Sequence, residues 1–229
     1  MGLPIDRVGA VLFDMDGVLI DTNAAVMQLW RRVGSLVGRE LSDNELRADV
    51  LGCTPEHTVE RLFCTQPEAA RRWLLEEIRA GEPTLTYQPL PGAARLVRAL
   101  AAAGVPLALV TSASAGRAAA VLDALDVKEC FKVMVTWGDV ERGKPDPQSY
   151  LLAASRLGVC PAECVVFEDS VNGVRAAVAA GTICVGVGVP KAAGPLLTTG
   201  AAAVVTSLTQ VTLGGAGNGT LVIPAVTGG

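Results

Sequence analysis

The chain has 229 residues, half of them hydrophobic, with 25 glycines and 13 prolines, enough to build one large domain or a domain carrying an insertion. Its formal net charge of -4 supplies no basic field for nucleic acid or anionic lipid, so small molecules are the expected partners. The single histidine, His57, excludes zinc sites and catalytic triads that need several imidazoles.

Met1 to Arg7 lacks the charged-then-apolar pattern of a secretion signal, and no apolar run approaches the roughly 20 residues that span a bilayer. A cytoplasmic protein is expected, without a membrane partner. The six cysteines (53, 64, 130, 160, 164 and 184) form no CxxC pair, and Cys164 and Cys184 sit in apolar runs, so all six read as reduced thiols.

In chain order, the first apolar run is Val8 to Phe13, followed by the polar stretch Asp14-Met15-Asp16-Gly17. Helical spacing then occupies Asn23 to Val37, Asp43 to Val50, Pro55 to Phe63 and Pro67 to Ala80, with Thr54 as an N-cap and Pro55 at the first helical position. This interval of some eighty residues contains no convincing strand and reads as a helical insertion, closed by the proline-bearing stretch Glu82 to Gly92. Strand-like runs follow at Val105 to Val110, Phe131 to Val135, Cys164 to Phe167, Ile183 to Val187 and Ala202 to Val205. Helical stretches alternate with them at Ala93 to Ala103, Gly116 to Leu125, Gln148 to Leu157, Gly173 to Ala180 and Pro190 to Leu197. Continuous apolar strands alternating with helices imply a doubly wound parallel sheet, hence an α/β fold with an inserted α-helical cap. The expected division is 1–20 and 90–212 for the core, 21–89 for the cap, and 213–229 for a loose Gly-rich tail with a short strand at Leu221 to Ile223.

Open α/β sheets bind ligands at the carboxyl ends of their strands. There the chain places Asp14 and Asp16, Thr111 and Ser112, Lys144 in "GKPDP", and Glu168 with Asp169. Each has a plain structural reading. Asp-Gly makes hairpins, Ser114 and Asp146 make helix caps, and alternating acids open calcium loops. The hairpin lacks an antiparallel partner, and the calcium loop fails because Leu19 and Ala25 occupy its required Gly and Glu positions. Ordinary caps give no reason for Asp-x-Asp, Thr-Ser, Lys-Pro and Glu-Asp to appear in succession, one set per strand end.

In that order these motifs resemble the haloacid dehalogenase superfamily of phosphotransferases over most of the chain, from about Val8 to Val205. "GVPLALVTSAS", "ERGKPDPQSYLLAASRLGV" and "VVFEDSVNGVRAAVAAG" resemble its subgroup with a helical cap, which contains sugar-phosphate phosphatases and β-phosphoglucomutase. The resemblance implies a Rossmann-like core and a Mg²⁺ cofactor held by the Asp14 and Asp169 carboxylates, the Asp16 backbone carbonyl and Glu168, directly or through water. Clustered acids without His or Cys suit that hard cation. It further implies Asp14 as the nucleophile that becomes an aspartyl-phosphate, Asp16 as the proton shuttle, and Lys144, Thr111 and Ser112 facing the phosphoryl oxygens.

The expected function is a Mg²⁺-dependent phosphatase acting on a small phosphate monoester, a sugar or polyol phosphate. The cap has no lysine for the Schiff base of phosphonoacetaldehyde hydrolase, and Asp16 and Asp169 disfavour dehalogenation. A β-phosphoglucomutase-like mutase is the alternative. By resemblance it calls for a His and an Arg where this chain aligns Val26 and Pro55. A catalytically silent relative that only binds a metabolite is a further alternative, which predicts erosion of the motif acids. His57 is a candidate substrate contact, weighed against an idle histidine at a helix start. A monomer is expected, with a dimer as the other option.

Overall fold

The computed structural model describes residues 3–6, 8–214 and 220–224. Strand β1 (Leu3–Ile5) precedes β2 (Ala10–Phe13), and β3 (Ile20–Asp21) leads into four helices, α1 (Asn23–Leu36), α2 (Asp43–Asp49), α3 (Pro55–Leu62) and α4 (Glu68–Gly81). β4 (Gln88–Pro89) brings the chain back to a strand-helix alternation: α5 (Ala93–Ala102), β5 (Leu107–Val110), α6 (Ala115–Ala124), β6 (Val133–Val135), α7 (Gln148–Leu157) and β7 (Cys164–Glu168). The alternation continues through α8 (Val171–Ala179), β8 (Ile183–Val187), α9 (Pro190–Thr199) and β9 (Ala203–Val205), followed by the short strands β10 (Thr212–Leu213) and β11 (Leu221–Ile223).

Six strands form one parallel sheet in the order β6-β5-β2-β7-β8-β9. Val11 of β2 lies opposite Leu107 of β5 and Val165 of β7, so the first strand is central. Counted along the chain, the sheet runs 3-2-1-4-5-6, the doubly wound order whose connections reverse direction beside the first strand. Apart from Glu168, the last residue of β7, its strands carry no charged or polar side chain, because both faces are covered. Val11 and Phe13 pack with Leu96, Val97 and Leu100 of α5 and Val121 and Leu122 of α6. Ala10 and Leu12 face the other way, against Tyr150 and Ala153 of α7, Val174 and Ala177 of α8 and Leu196 of α9. Phe13 stacks on Phe167 with ring centroids 5.2 Å apart. Full burial of each Val, Leu or Phe side chain among them stabilises the fold by about 1.5–3 kcal/mol relative to exposure.

Helices α1–α4 bury a separate cluster containing Trp30, Val33, Leu46, Val59, Phe63, Leu74 and Ile78. Their starts follow capping chemistry. Ser42 and Glu45 form a reciprocal capping box on α2, and Thr54 accepts the His57 N–H with Pro55 at the first position of α3. β3 pairs antiparallel with β4, Ile20 opposite Pro89, so the two chain crossings into the helical layer lie side by side. Two-residue strands carry no periodicity, which is why this ribbon has no sequence signature.

The Leu221–Ile223 strand forms, but it is not part of a loose tail. β11 pairs antiparallel with both β1 and β10, and Leu221 and Ile223 are fully buried in the cluster that holds Val11 and Phe13. Alternating Leu-Val-Ile sends two large side chains inward, and that burial anchors the segment. The remainder of the expected tail, 215–219 and 225–229, lies outside the described residues. All six cysteines are free, and no helix among the described residues is long and apolar enough to cross a membrane.

Candidate active site

Because β2 is flanked by β5 and β7, the residues after these three strands meet at one rim. Asp14 directly follows β2 and is buried. Gly17 turns the chain with φ of 80°, and any side chain there would overlap the Asp169 carboxylate, so glycine is required on both counts.

Lys144 is the centre of the buried polar network. Its Nζ donates to Asp14 Oδ1 at 2.6 Å, to Glu168 Oε1 at 2.7 Å and to the Val110 carbonyl at 3.1 Å. Glu168 Oε1 also accepts the Tyr150 hydroxyl at 2.7 Å. Its Oε2 accepts the Asp169 and Ser170 N–H groups and the Ser170 hydroxyl. Both Glu168 oxygens are thus engaged internally, and its carboxylate fills the space that a side chain on Gly173 would take. Burial opposes the charge on Lys144, but the Asp14 and Glu168 carboxylates outweigh it and hold the ammonium above its ordinary range.

Asp14, Glu168 and Asp169 each place a carboxylate oxygen within 4.8 Å of the others. Burial, reinforced by the neighbouring acids, holds the Asp14 carboxyl well above the usual carboxylate range against the pull of Lys144. Burial and then the Glu168 charge push Asp169 up to about 7, although the Asn23 amide donates to Asp169 Oδ2 at 2.9 Å. An all-oxygen donor set carrying this electrostatic cost fits a hard divalent cation, which offsets the repulsion.

The Asp16 carboxylate lies outside this cluster but lines the same cleft. Arg117 grips its carboxylate in bidentate fashion, Nη1 to Oδ2 at 2.9 Å and Nη2 to Oδ1 at 2.6 Å, and the Thr22 hydroxyl donates to Oδ1. Thr111 and Ser112 follow β5. The Thr111 hydroxyl accepts the Ala113 N–H, and the Ser112 hydroxyl donates to the Gly52 carbonyl between α2 and α3.

Asp14, Asp16, Thr111, Ser112 and Arg117 line one side of a cleft of about 660 Å³, its mouth included. Val26, Trp30, Leu51, Pro55, Ile78 and Glu82 are among the residues that line it from the helical layer, together with Asn23. His57 is not among the lining residues. Pro55 faces the cleft, and two residues further on a helix turns a side chain by about 200°, which carries His57 away.

Arg117, Asn23 and Tyr150 were not legible as site residues. Arg117 lies three residues after the Ser114 cap, on the first turn that faces the rim, and that spacing was the one available signal. Asn23 and Tyr150 sit on helices whose apolar spacing conceals them.

A family model described as haloacid dehalogenase-like hydrolase matches residues 8–181. The chain belongs to this family. Among curated relatives of this haloacid dehalogenase-like hydrolase, hexitol phosphatase A of Escherichia coli (strain K12) is 38% identical over 189 residues, covering 80% of this chain and 85% of that protein. Phosphorylated carbohydrates phosphatase of Thermotoga maritima is 36% identical over 178 residues, 75% of this chain and 81% of that one. In fold, the hydrolase is similar to β-phosphoglucomutase from Clostridium difficile, with a TM-score of 0.77 at 24% identity over 90% of this chain and 94% of the other.

Proposed function

We propose that this phosphatase hydrolyses a small phosphate monoester, a phosphorylated sugar or polyol, with Asp14 as the nucleophile and Mg²⁺ as cofactor. The observation that carries the reading is a buried Asp14 that lines the cleft and is held by Lys144 within a cluster of acids. The two curated phosphatases support the substrate class.

Asp14, Asp169 and the Asp16 backbone carbonyl would hold Mg²⁺, with Glu168 behind them. When bound, the ion neutralises charge on the phosphoryl oxygens and on the acids. Lys144 keeps the Asp14 carboxylate oriented for in-line attack, which splits one difficult displacement into formation and hydrolysis of a phosphorylated aspartate. Asp16 donates a proton to the departing alkoxide and then takes one from the attacking water. The Thr111 and Ser112 hydroxyls line the same cleft and would donate to the phosphoryl oxygens as charge develops there, Ser112 by exchanging its bond to the Gly52 carbonyl. The apolar side chains of the helical layer exclude bulk water around the reacting group.

Hydrolysis is favoured over transfer between sugar positions because Val26 and Pro55, the positions where the mutase resemblance calls for His and Arg, line the cleft with apolar groups. Neither side chain can hold a second phosphate while an intermediate turns round. The test is phosphate release from a panel of sugar and polyol monophosphates, with and without Mg²⁺ and with and without a hexose bisphosphate. Mg²⁺-dependent release that needs no bisphosphate supports the reading, and isomerisation without net phosphate release overturns it.

A further inference from the structure

Arg117 has no part in the chemistry above, yet its environment is unlike that of the other paired arginines. Its side chain is 6% accessible, whereas every other ion-paired arginine among the described residues keeps at least 39%. A guanidinium taken out of water is costly unless oriented acceptors compensate it. It also stands in the first turn of α6, where the helix dipole disfavours a cation. Both penalties argue that the position serves the site and not the helix.

The acceptors are two carboxylates from opposite sides of the cleft. Asp16 supplies both oxygens, and Glu82, which follows α4 at the end of the helical layer, places Oε1 4.0 Å from Nη1. Glu82 is itself buried, and the same Oε1 accepts the Ser114 N–H at 2.9 Å, so it is fixed to the start of α6. The planar fork of arginine fixes the plane of a carboxylate as a lysine cannot. We propose that Arg117 is a positioning residue that orients the Asp16 carboxylate, and that Glu82 makes this orientation conditional on the helical layer being seated on the sheet. Asp16 is then aimed only while the cleft is closed over substrate. This rests on the reading of Asp16 as the proton carrier.

The experiment compares kcat/KM for a hexitol phosphate, whose alkoxide needs a proton to leave, with that for p-nitrophenyl phosphate, whose phenolate does not. Arg117→Met lowers the former by about 100-fold and the latter by less than about tenfold, the range expected when a proton donor is displaced by about 1 Å. Arg117→Lys, which keeps the charge without the fork, restores only part of the loss, and Glu82→Gln shifts the ratio of the two substrates in the same direction by less. Equal losses on both substrates, or none, overturn the proposal. Should Arg117→Met fail to fold, Glu82→Gln and Arg117→Lys decide the matter by the same ratio. Asp16→Asn separates the two readings. Turnover retained in that variant overturns the role of Asp16 and with it this inference, whereas a dead Asp16→Asn beside an Arg117→Met with wild-type selectivity overturns only the inference.

Discussion

Asp169 binds a proton more tightly in the folded chain than in the unfolded one, because burial and the Glu168 charge raise its pKa from 3.8 to about 7. The folded state thus holds more protons than the unfolded state between these values, and the contribution of this group to stability falls as pH rises through that window and is level above it. On the proposed reading, a divalent cation held by Asp169 would take the place of the proton. The rise in Tm caused by saturating Mg²⁺ should therefore be larger at about pH 8 than at about pH 5.5. Equal shifts at the two pH values in differential scanning calorimetry would refute this, and Asp169→Asn should reduce the difference, leaving the part that the raised Asp14 carboxyl contributes. Lys144→Met leaves Asp14 and Glu168 buried without their cation and should cost about 3–5 kcal/mol by urea denaturation. Asp14→Asn should lower phosphate release by about 10³-fold or more while the protein stays folded, as circular dichroism can check.

At the scale of elements, α8 shows how a helix start serves the site. Ser170 caps it through the Gly173 N–H, and Gly173 leaves the room that the Glu168 carboxylate occupies. Alanine in a helix interior ordinarily adds up to about 1 kcal/mol over glycine. Gly173→Ala should do the reverse, lowering both Tm and activity, because the new methyl group displaces Glu168 and with it Lys144. A variant with raised Tm and unchanged kcat would refute that packing argument. The helices and the six core strands were legible because each carries strong periodicity or a continuous apolar run, and Thr54-Pro55 announced its own helix. β3, β4 and β10 were not legible, since two residues hold no pattern and exist as strands only through their partners.

For the whole molecule, the seating of the helical layer on the sheet depends on few polar contacts. Asn172 of α8 donates to the Ala48 carbonyl at 2.7 Å and to Cys53 Sγ at 3.2 Å, and the Ser112 hydroxyl reaches the Gly52 carbonyl. Arg79 of α4 lies over the Trp137 ring at 5.7 Å. Asn172→Ala removes about 1 kcal/mol of net hydrogen bonding and should raise KM about fivefold with little change in Tm. Faster amide exchange in residues 48–53 of the variant would accompany it, and unchanged KM and exchange would show that the layer is seated by other contacts.

By itself the sequence determined the two-faced apolar strands, the helical insertion and the run of polar residues at the strand ends, because these depend on neighbours within a few positions. Only the tertiary structure decided which of those residues face one another. Lys144 meets Asp14 across 130 positions, Arg117 meets Asp16 across 101, and Asn23 meets Asp169 across 146. The same holds for His57, whose helical phase turns it from the cleft, and for β11, which is ordered by the strands on either side of it. Contacts of that kind follow from strand order and from burial on both faces of the sheet, and no local pattern encodes them.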